Sequence, residues 1–237
     1  MIATIVNCLL ILFGSLIGIL FKNRISRRFT NILTQGLGLC VLGIGMASLV
    51  RSENTLCVVV CIVLGAVLGE AMDIETRLDG AGEWLRGRLA GGKGDSRFTE
   101  GFVTASVLYC VGSMAIMGAL EAGLNGKYDI LISKGVIDGV TSISFAAAMG
   151  VGVAFSVVPL FLYQGGLTLL ASLVGPYLAA PVVIEMSAVG GAIIVGIAVN
   201  MLGLGKAKLK VGNMLPGIFL PIVYIPLVQW LAGLIPA

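Results

Sequence analysis

Apolar residues run along this chain in stretches of about 17–23, with the polar and charged residues gathered between them. At a rise of about 1.5 Å per residue, such stretches cross roughly 30 Å of hydrocarbon as helices. Eight helices are expected, over 2–21, 32–50, 55–71, 100–120, 135–157, 159–175, 184–205 and 214–235. The fold class is therefore all-α: a polytopic membrane helix bundle, read as a single integral membrane domain over 1–237. The least marked boundary is the fifth. Pro159 follows Ser156-Val157-Val158 with no charged linker, so the region around 135–165 reads as two spans or as one broken or re-entrant helix. Asn7-Cys8-Leu9 with Phe13 matches Asn213-Met214-Leu215 with Phe219 in Asn, Leu and Phe, which hints at inverted repeats.

The loops are as informative as the spans. Twelve of the 15 basic residues fall in three loops: Lys22, Arg24, Arg27 and Arg28; Arg77, Arg86, Arg88, Lys93 and Arg97; Lys206, Lys208 and Lys210. Eight crossings place all three on one side, which the positive-inside rule makes cytoplasmic, with both termini external. Merging helices five and six would put the third loop outside, so eight is favoured over seven. Ile74, Leu78, Ala81, Leu85 and Leu89 form a stripe at spacings of three and four, so the cytoplasmic loop over 73–98 is expected to hold a short amphipathic helix. Gly91-Gly92-Lys93-Gly94-Asp95-Ser96 lacks the Gly-Lys-Ser/Thr ending of a phosphate loop and reads as a flexible link.

Composition narrows the picture further. Only 11% of the 237 residues are charged, against roughly 25% for a soluble domain, and mean hydropathy is +1.06. The first apolar run has no basic segment before it and no small-residue cleavage site, so it reads as a retained helix. The five cysteines lie in apolar runs and there is no histidine, which removes the usual zinc, haem and His-based acid–base chemistries. No cofactor and no nucleic-acid partner are expected. The lipid bilayer is the expected surround, and the abundant small residues make a homodimer plausible.

Against this background Asp138 stands out as a carboxylate inside a spanning run, where ionisable groups are costly and mark pathways or binding sites. Helical spacing puts Thr141, Ser142 and Phe145 on its face, with Ser144 to one side. Gly135 and Gly139 flank it. The oxygens of Asp138, Thr141 and Ser142 suit Na⁺, and Asp138 alone could carry a proton. Gln164 and Asn200, amides within spans six and seven, are the best candidates to join it. The plainer alternative pairs Asp138 with Lys134 at i, i+4 near the outer interface and lets the hydroxyls bond back to the helix. Glu70, Glu121 and Glu185 sit at predicted span ends, where solvation at the interface explains them.

Several segments together are similar to the bacterial domain of unknown function 554 (YqgA-like) family of membrane proteins. They are Cys110-Val111-Gly112-Ser113-Met114-Ala115-Ile116-Met117-Gly118-Ala119, Lys134-Gly135-Val136-Ile137-Asp138-Gly139-Val140-Thr141-Ser142, Tyr163-Gln164-Gly165 and Gly212-Asn213-Met214-Leu215-Pro216. The resemblance implies a bacterial cytoplasmic-membrane protein and brings no substrate or catalytic residue. From the residues, the expected function is a secondary transporter or channel for a small solute or ion, coupled to a cation or proton through Asp138. The alternative is a non-transporting scaffold or signalling protein, packed by its glycines and reaching a partner through the 73–98 loop. An enzyme is not expected, since no paired aspartates and no serine with a basic partner are present.

Overall fold

The computed structural model describes residues 1–22, 27–78, 80, 84 and 98–234. Among them the chain is helical throughout, with no strand. Six helices are each long and apolar enough to cross a membrane: α1 (Ile2–Lys22), α2 (Arg27–Leu49), α3 (Thr55–Met72), α6 (Asp129–Met149), α7 (Gly152–Leu169) and α8 (Ala180–Leu202). Two bent pairs complete eight if each is one span. In the first, α4 (Phe98–Cys110) meets α5 (Ser113–Leu124) at 58°; in the second, the 3₁₀ segment η1 (Val211–Phe219) meets α9 (Pro221–Leu234) at 46°.

Local chemistry explains where the elements begin and end. Gly150, at φ +86°, stops α6 with a backbone that L side chains rarely adopt, so the break falls there and not at Pro159. Pro159 lies in the first turn of the helical segment Val157–Leu169, where its missing N–H would have had no intrahelical partner. The fifth and sixth spans consequently lie about six residues earlier than hydropathy suggests, over 129–149 and 152–169. The two breaks inside spans come elsewhere. One is at Val111-Gly112, with Gly112 at φ +128°, and the other at Leu220, just before Pro221.

Three close helix crossings organise the bundle, each made by glycines on both partners. A Cβ on Gly14 would land on the Gly139 carbonyl, and one on Gly139 would meet Leu10 Cβ at 3.0 Å. Likewise Gly45 and Gly191 face one another across α2 and α8, with added Cβ atoms 2.8 and 2.7 Å from the opposite carbonyls. Gly69 abuts the Asn213 backbone, and a Cβ on Gly217 would stand 2.7 Å from the Cys61 carbonyl, which locks α3 to η1. Small residues let helix backbones approach where lipid supplies no hydrophobic drive to associate.

These crossings also fix direction. Asn7 lies beside Gly135 and Gly18 beside Ala147, so α1 and α6 run parallel. An odd number of crossings must then separate them, and α2, α3 and the bent α4–α5 pair, counted as one span, supply three. Gly38 beside Leu202 makes α2 and α8 antiparallel, and Gly65 beside Gly217 does the same for α3 and η1. The ends of α1, α3 and α8 therefore share one end of the bundle, with Lys22, Arg77, Lys206, Lys208 and Lys210. Asn7 and Asn213 each sit against a glycine of another helix, on α1 and η1, which run in opposite senses. The amphipathic stripe is described only over 74–78 and at 80 and 84, helical at each; Ala81, Leu85 and Leu89 lie outside the described residues, as do Arg24, Arg86, Arg88, Lys93 and Arg97.

Burial grades across the bundle. The α8 window is 78% buried and that of α2 only 17%, so α8 is the central post and α2 an outer stave. Leu9, Phe13, Leu16 and Leu20 of α1 point outward, as lipid-facing positions do. Glu185, near the start of α8, departs from its expected solvated setting. It is 2% exposed and accepts from the Ser52 hydroxyl at 2.7 Å and from the Glu53 and Asn54 amides at 2.8 and 2.9 Å. One carboxylate thus ties the α2–α3 turn to the central helix. Glu185→Ala is expected to cost roughly 2–3 kcal/mol by stranding these donors. Hydrogen exchange at the Glu53 and Asn54 amides should accelerate, and unchanged protection there would refute the tie.

At the opposite end, Asn213 donates to Glu70 Oε2 and accepts from the Glu75 amide, both at 2.6 Å. Lys210 Nζ donates to Glu70 Oε1, also at 2.6 Å, and this partner raises the lysine pKa above its ordinary value. Glu70 thus bridges α3 and η1 while its side chain stays exposed, as a carboxylate at a span end is expected to be.

Candidate functional site

Asp138 is the tenth residue of α6, about 14 Å along a helix of 21 residues, and so stands near mid-span. Because α6 starts at Asp129 and not at 135, Lys134 is also well inside the helix, and both residues are buried, at 5% and 6% exposure. The pair is in direct contact, Lys134 Nζ to Asp138 Oδ2. Two opposite charges at this depth neutralise each other's field, and neither ion is solvated in the usual way.

The pair does not stand alone. Asn7 of α1, wholly buried, donates through Nδ2 to Asp138 Oδ2 at 3.2 Å and to Gln164 Oε1 at 3.1 Å. Lys134, Asp138, Asn7 and Gln164 thus form one polar chain through α6, α1 and α7. Its far end is incomplete. Asn7 Oδ1, Gln164 Nε2 and Thr4 Oγ1, the last one turn before Asn7, are buried without a hydrogen-bond partner. Tyr109, two residues before the break in the α4–α5 span, turns its buried hydroxyl toward Thr141 and Asp138 without a satisfactory hydrogen bond. Buried polar groups are nearly always satisfied, and these atoms are free to bond water or a solute.

The remaining candidates are placed differently. Thr141 Oγ1 bonds back to the Ile137 and Asp138 carbonyls at 2.9 and 3.0 Å. Ser142 donates to the Gly139 carbonyl at 2.7 Å and reaches the Ile11 carbonyl of α1 at 3.1 Å, so its hydroxyl seals the α1–α6 crossing. Ser144 is exposed on the outer face of α6. Asn200 lies at the other end of α8, away from Asp138. Its amide exchanges two hydrogen bonds with the Leu209 backbone, at 2.8 and 2.9 Å, and pins the loop beside a 280 Å³ cavity lined by Glu75, Glu100 and Lys208. The structure therefore unites Asp138 with Gln164, and brings in Asn7, Lys134 and Tyr109. No group of three or more His, Cys, Asp or Glu side chains able to hold a metal occurs among the described residues.

Asn7 was legible as a polar residue in the first span, yet nothing in its own neighbourhood says that it spans two other helices. Tyr109 gave no signal, because a tyrosine in an apolar run looks like any other interface aromatic. The glycines opposite Asn7 were the available clue. Gly135 is a residue that lets an asparagine backbone come within contact distance, 3.1 Å from an added Cβ to Asn7 Cα.

Comparison with known proteins agrees with a membrane protein. The chain is 32% identical over 229 residues to the uncharacterized membrane protein YdfK of Bacillus subtilis (strain 168), covering 95% of this chain and 96% of that protein. It is 29% identical over 218 residues to the uncharacterized protein YqgA of Escherichia coli (strain K12), covering 91% and 92%. No solved structure matches the chain. The family model described as protein of unknown function (DUF554) matches residues 2–226, nearly the whole chain, and the protein belongs to that family of membrane proteins.

Proposed function

We propose that the protein is a secondary transporter or channel for a small solute or ion, in which the Lys134–Asp138–Asn7–Gln164 chain takes up and releases a proton or cation. The observation that carries this reading is the ion pair at mid-span, ending in unsatisfied amide atoms. A pair whose only task was packing would have a cheap apolar substitute. Transporters, in contrast, place ionisable relays at this depth, beside interrupted helices. The α4–α5 span is such a helix, broken two residues after Tyr109. A proton suits the geometry better than Na⁺ at Asp138, Thr141 and Ser142, because the Lys134 ammonium already occupies the carboxylate that a cation would need. Protonation of Asp138 would release Lys134 and weaken the Asn7 bond, and so pass a change of charge into a change of contact with α1 and α7.

On this reading the basic end faces the cytoplasm of a bacterial cell and the termini face outward, following the positive-inside rule. The test uses proteoliposomes loaded with a pH-sensitive dye and a panel of small solutes. One solute class is expected to drive a change of internal pH with wild type, and the paired variant Lys134→Gln/Asp138→Asn, which leaves no stranded charge, should lose it. Coupled flux that survives in the paired variant would defeat the assignment. A panel in which no solute moves would instead favour a glycine-packed scaffold.

A further inference from the structure

Two half-open cavities lie between the bent spans and α7, the second also reaching the start of α8. The first, of about 220 Å³, is lined by Phe102, Val107 and Val111 of the α4 side and by Leu215 and Ile218 of η1. The second, of about 300 Å³, is lined by Ile116 of α5, Ile222 of α9, and Leu178 and Met186 near the start of α8. They share two residues, Tyr163 of α7 and Phe219 at the end of η1. These rings pack edge to face, with centroids 6.5 Å apart and planes at 63°.

The arrangement follows the breaks. Each bent span gives its first half to one cavity and its second half to the other, and each break lies at the divide. The first cavity lies toward the basic end, reaching Leu78 beyond α3, and the second toward the end where α8 begins. Two interrupted helices, two chambers on opposite sides and one aromatic partition form the layout of a pathway closed at its middle.

We propose that the two cavities are halves of one pathway for an uncharged, largely apolar small molecule of about one ring, closed in this conformation by Tyr163 and Phe219. The proposal deepens the transporter reading and rests on it. The linings decide the substrate class. Neither cavity carries a charged side chain, and the hydroxyl-bearing residues that line them are Ser106, which donates to the Phe102 carbonyl at 2.5 Å, with Tyr163 and Tyr177. An ion or a sugar would shed its water there and find at most a few hydroxyls in return. An apolar ring loses no hydrogen bonds, and dry apolar cavities of roughly 150 Å³ already admit benzene in other proteins. The partition is built to move. Phe219 closes a 3₁₀ segment, whose hydrogen bonds are poorer than those of an α-helix, directly before the Leu220 break. Tyr163 adjoins Gln164, the last member of the polar chain, so a change at Asp138 reaches the partition through Asn7 and one peptide bond.

A native thiol reports on the first cavity, because Cys110 lines it. In nanodiscs, a chain with Cys8, Cys40, Cys57 and Cys61 replaced by alanine is labelled with N-ethylmaleimide, with indole as the apolar probe and glycerol as the polar one. Indole is expected to slow Cys110 labelling saturably by about fivefold or more, and glycerol to leave it unchanged. A second reporter, Leu178→Cys, should behave alike in the other cavity. Phe219→Ala should speed Cys110 labelling by removing the partition, and Phe219→Trp should slow it and abolish the indole effect. Slowing that never saturates belongs to indole dissolved in the lipid and overturns the proposal, as does protection by glycerol or no protection at all. The result at Cys110 and Leu178→Cys in the wild-type partition stands whether or not the Phe219 variants fold. Indole protection without any solute-driven pH change would sink the coupling reading alone; coupled flux without protection would sink the pathway alone.

Discussion

Asp138→Asn is expected to destabilise the folded protein by about 3–5 kcal/mol, enough to leave much of it unfolded or degraded. The reason is its partner. Lys134 is 5% exposed and its ammonium rests on Asp138 Oδ2. Asparagine fits the space but removes the countercharge, which leaves a lysine near mid-span with no ion to meet it. An i, i+4 pair on an exposed helix is worth only about 0.2–0.5 kcal/mol, so burial, not spacing, sets the size of this effect. The paired variant Lys134→Gln/Asp138→Asn should recover most of the loss, because both charges leave together and two amides can still bond to each other and to Asn7. Thermal unfolding in one detergent, with wild type and both variants side by side, measures this. Equal stability of the single and paired variants would show that Lys134 finds another counterion and that the pair is not the unit described. Loss of flux in Asp138→Asn alone therefore says nothing about coupling, and only the paired variant separates stability from transport.

The same residues show how far the sequence could be read. Hydropathy marks eight stretches, six of them single long helices and two bent pairs, because a backbone in lipid allows little besides helices of this length. It misplaced the start of the fifth because Asp129 and Lys134 look like loop residues to a scale that adds side chains one at a time. Lys134 in fact pairs inside the helix with Asp138 four residues on. It took Pro159 for the boundary because proline is the stronger breaker in a helix interior, whereas in a first turn it breaks nothing and Gly150 with its positive φ does the work. At the site, Asp138 and Gln164 were visible as polar groups out of place. Their link through Asn7 was not, since a hydrogen bond across 131 and 157 residues leaves no local periodicity. Thr141 and Ser142 share a helix face with Asp138 as spacing requires, but spacing cannot say that each hydroxyl is taken by a carbonyl. Asn200 is set apart from Asp138 for a similar reason. An amide near a helix end serves a loop as readily as a pathway.

Gly14→Ala is expected to separate α1 from α6 and cost about 1–3 kcal/mol, with Gly14→Leu failing to fold. The added methyl would fall on the Gly139 carbonyl and the Ser142 hydroxyl, and lie 3.0 Å from the Gly139 carbonyl carbon. Two of these three atoms belong to backbone, so no side-chain rotation relieves the clash; one helix must move as a body. A Cβ on Gly18, one turn on, would likewise meet Ala146 Cβ at 2.9 Å and Ala147 N at 3.0 Å, so the crossing cannot pivot about its neighbour. A shift of the helices apart lengthens the 3.2 Å bond from Asn7 to Asp138 and the 3.1 Å reach of Ser142 to Ile11, so the polar chain opens as packing is lost. The internal control is Gly43→Ala on α2, where nothing lies within 4 Å of an added Cβ. There the better helix propensity of alanine should leave the protein unchanged or up to about 1 kcal/mol more stable. Thermal unfolding of the two alanine variants decides the matter, and Gly14→Ala as stable as Gly43→Ala would mean that α1 and α6 do not meet at this crossing. Because the ion pair sits on the helix that Gly14 lets in, the crossing is also what keeps Asp138 from water. A Gly14→Ala chain that still folds is expected to admit solvent to Lys134 and Asp138, read as faster amide exchange over 134–142 than in wild type.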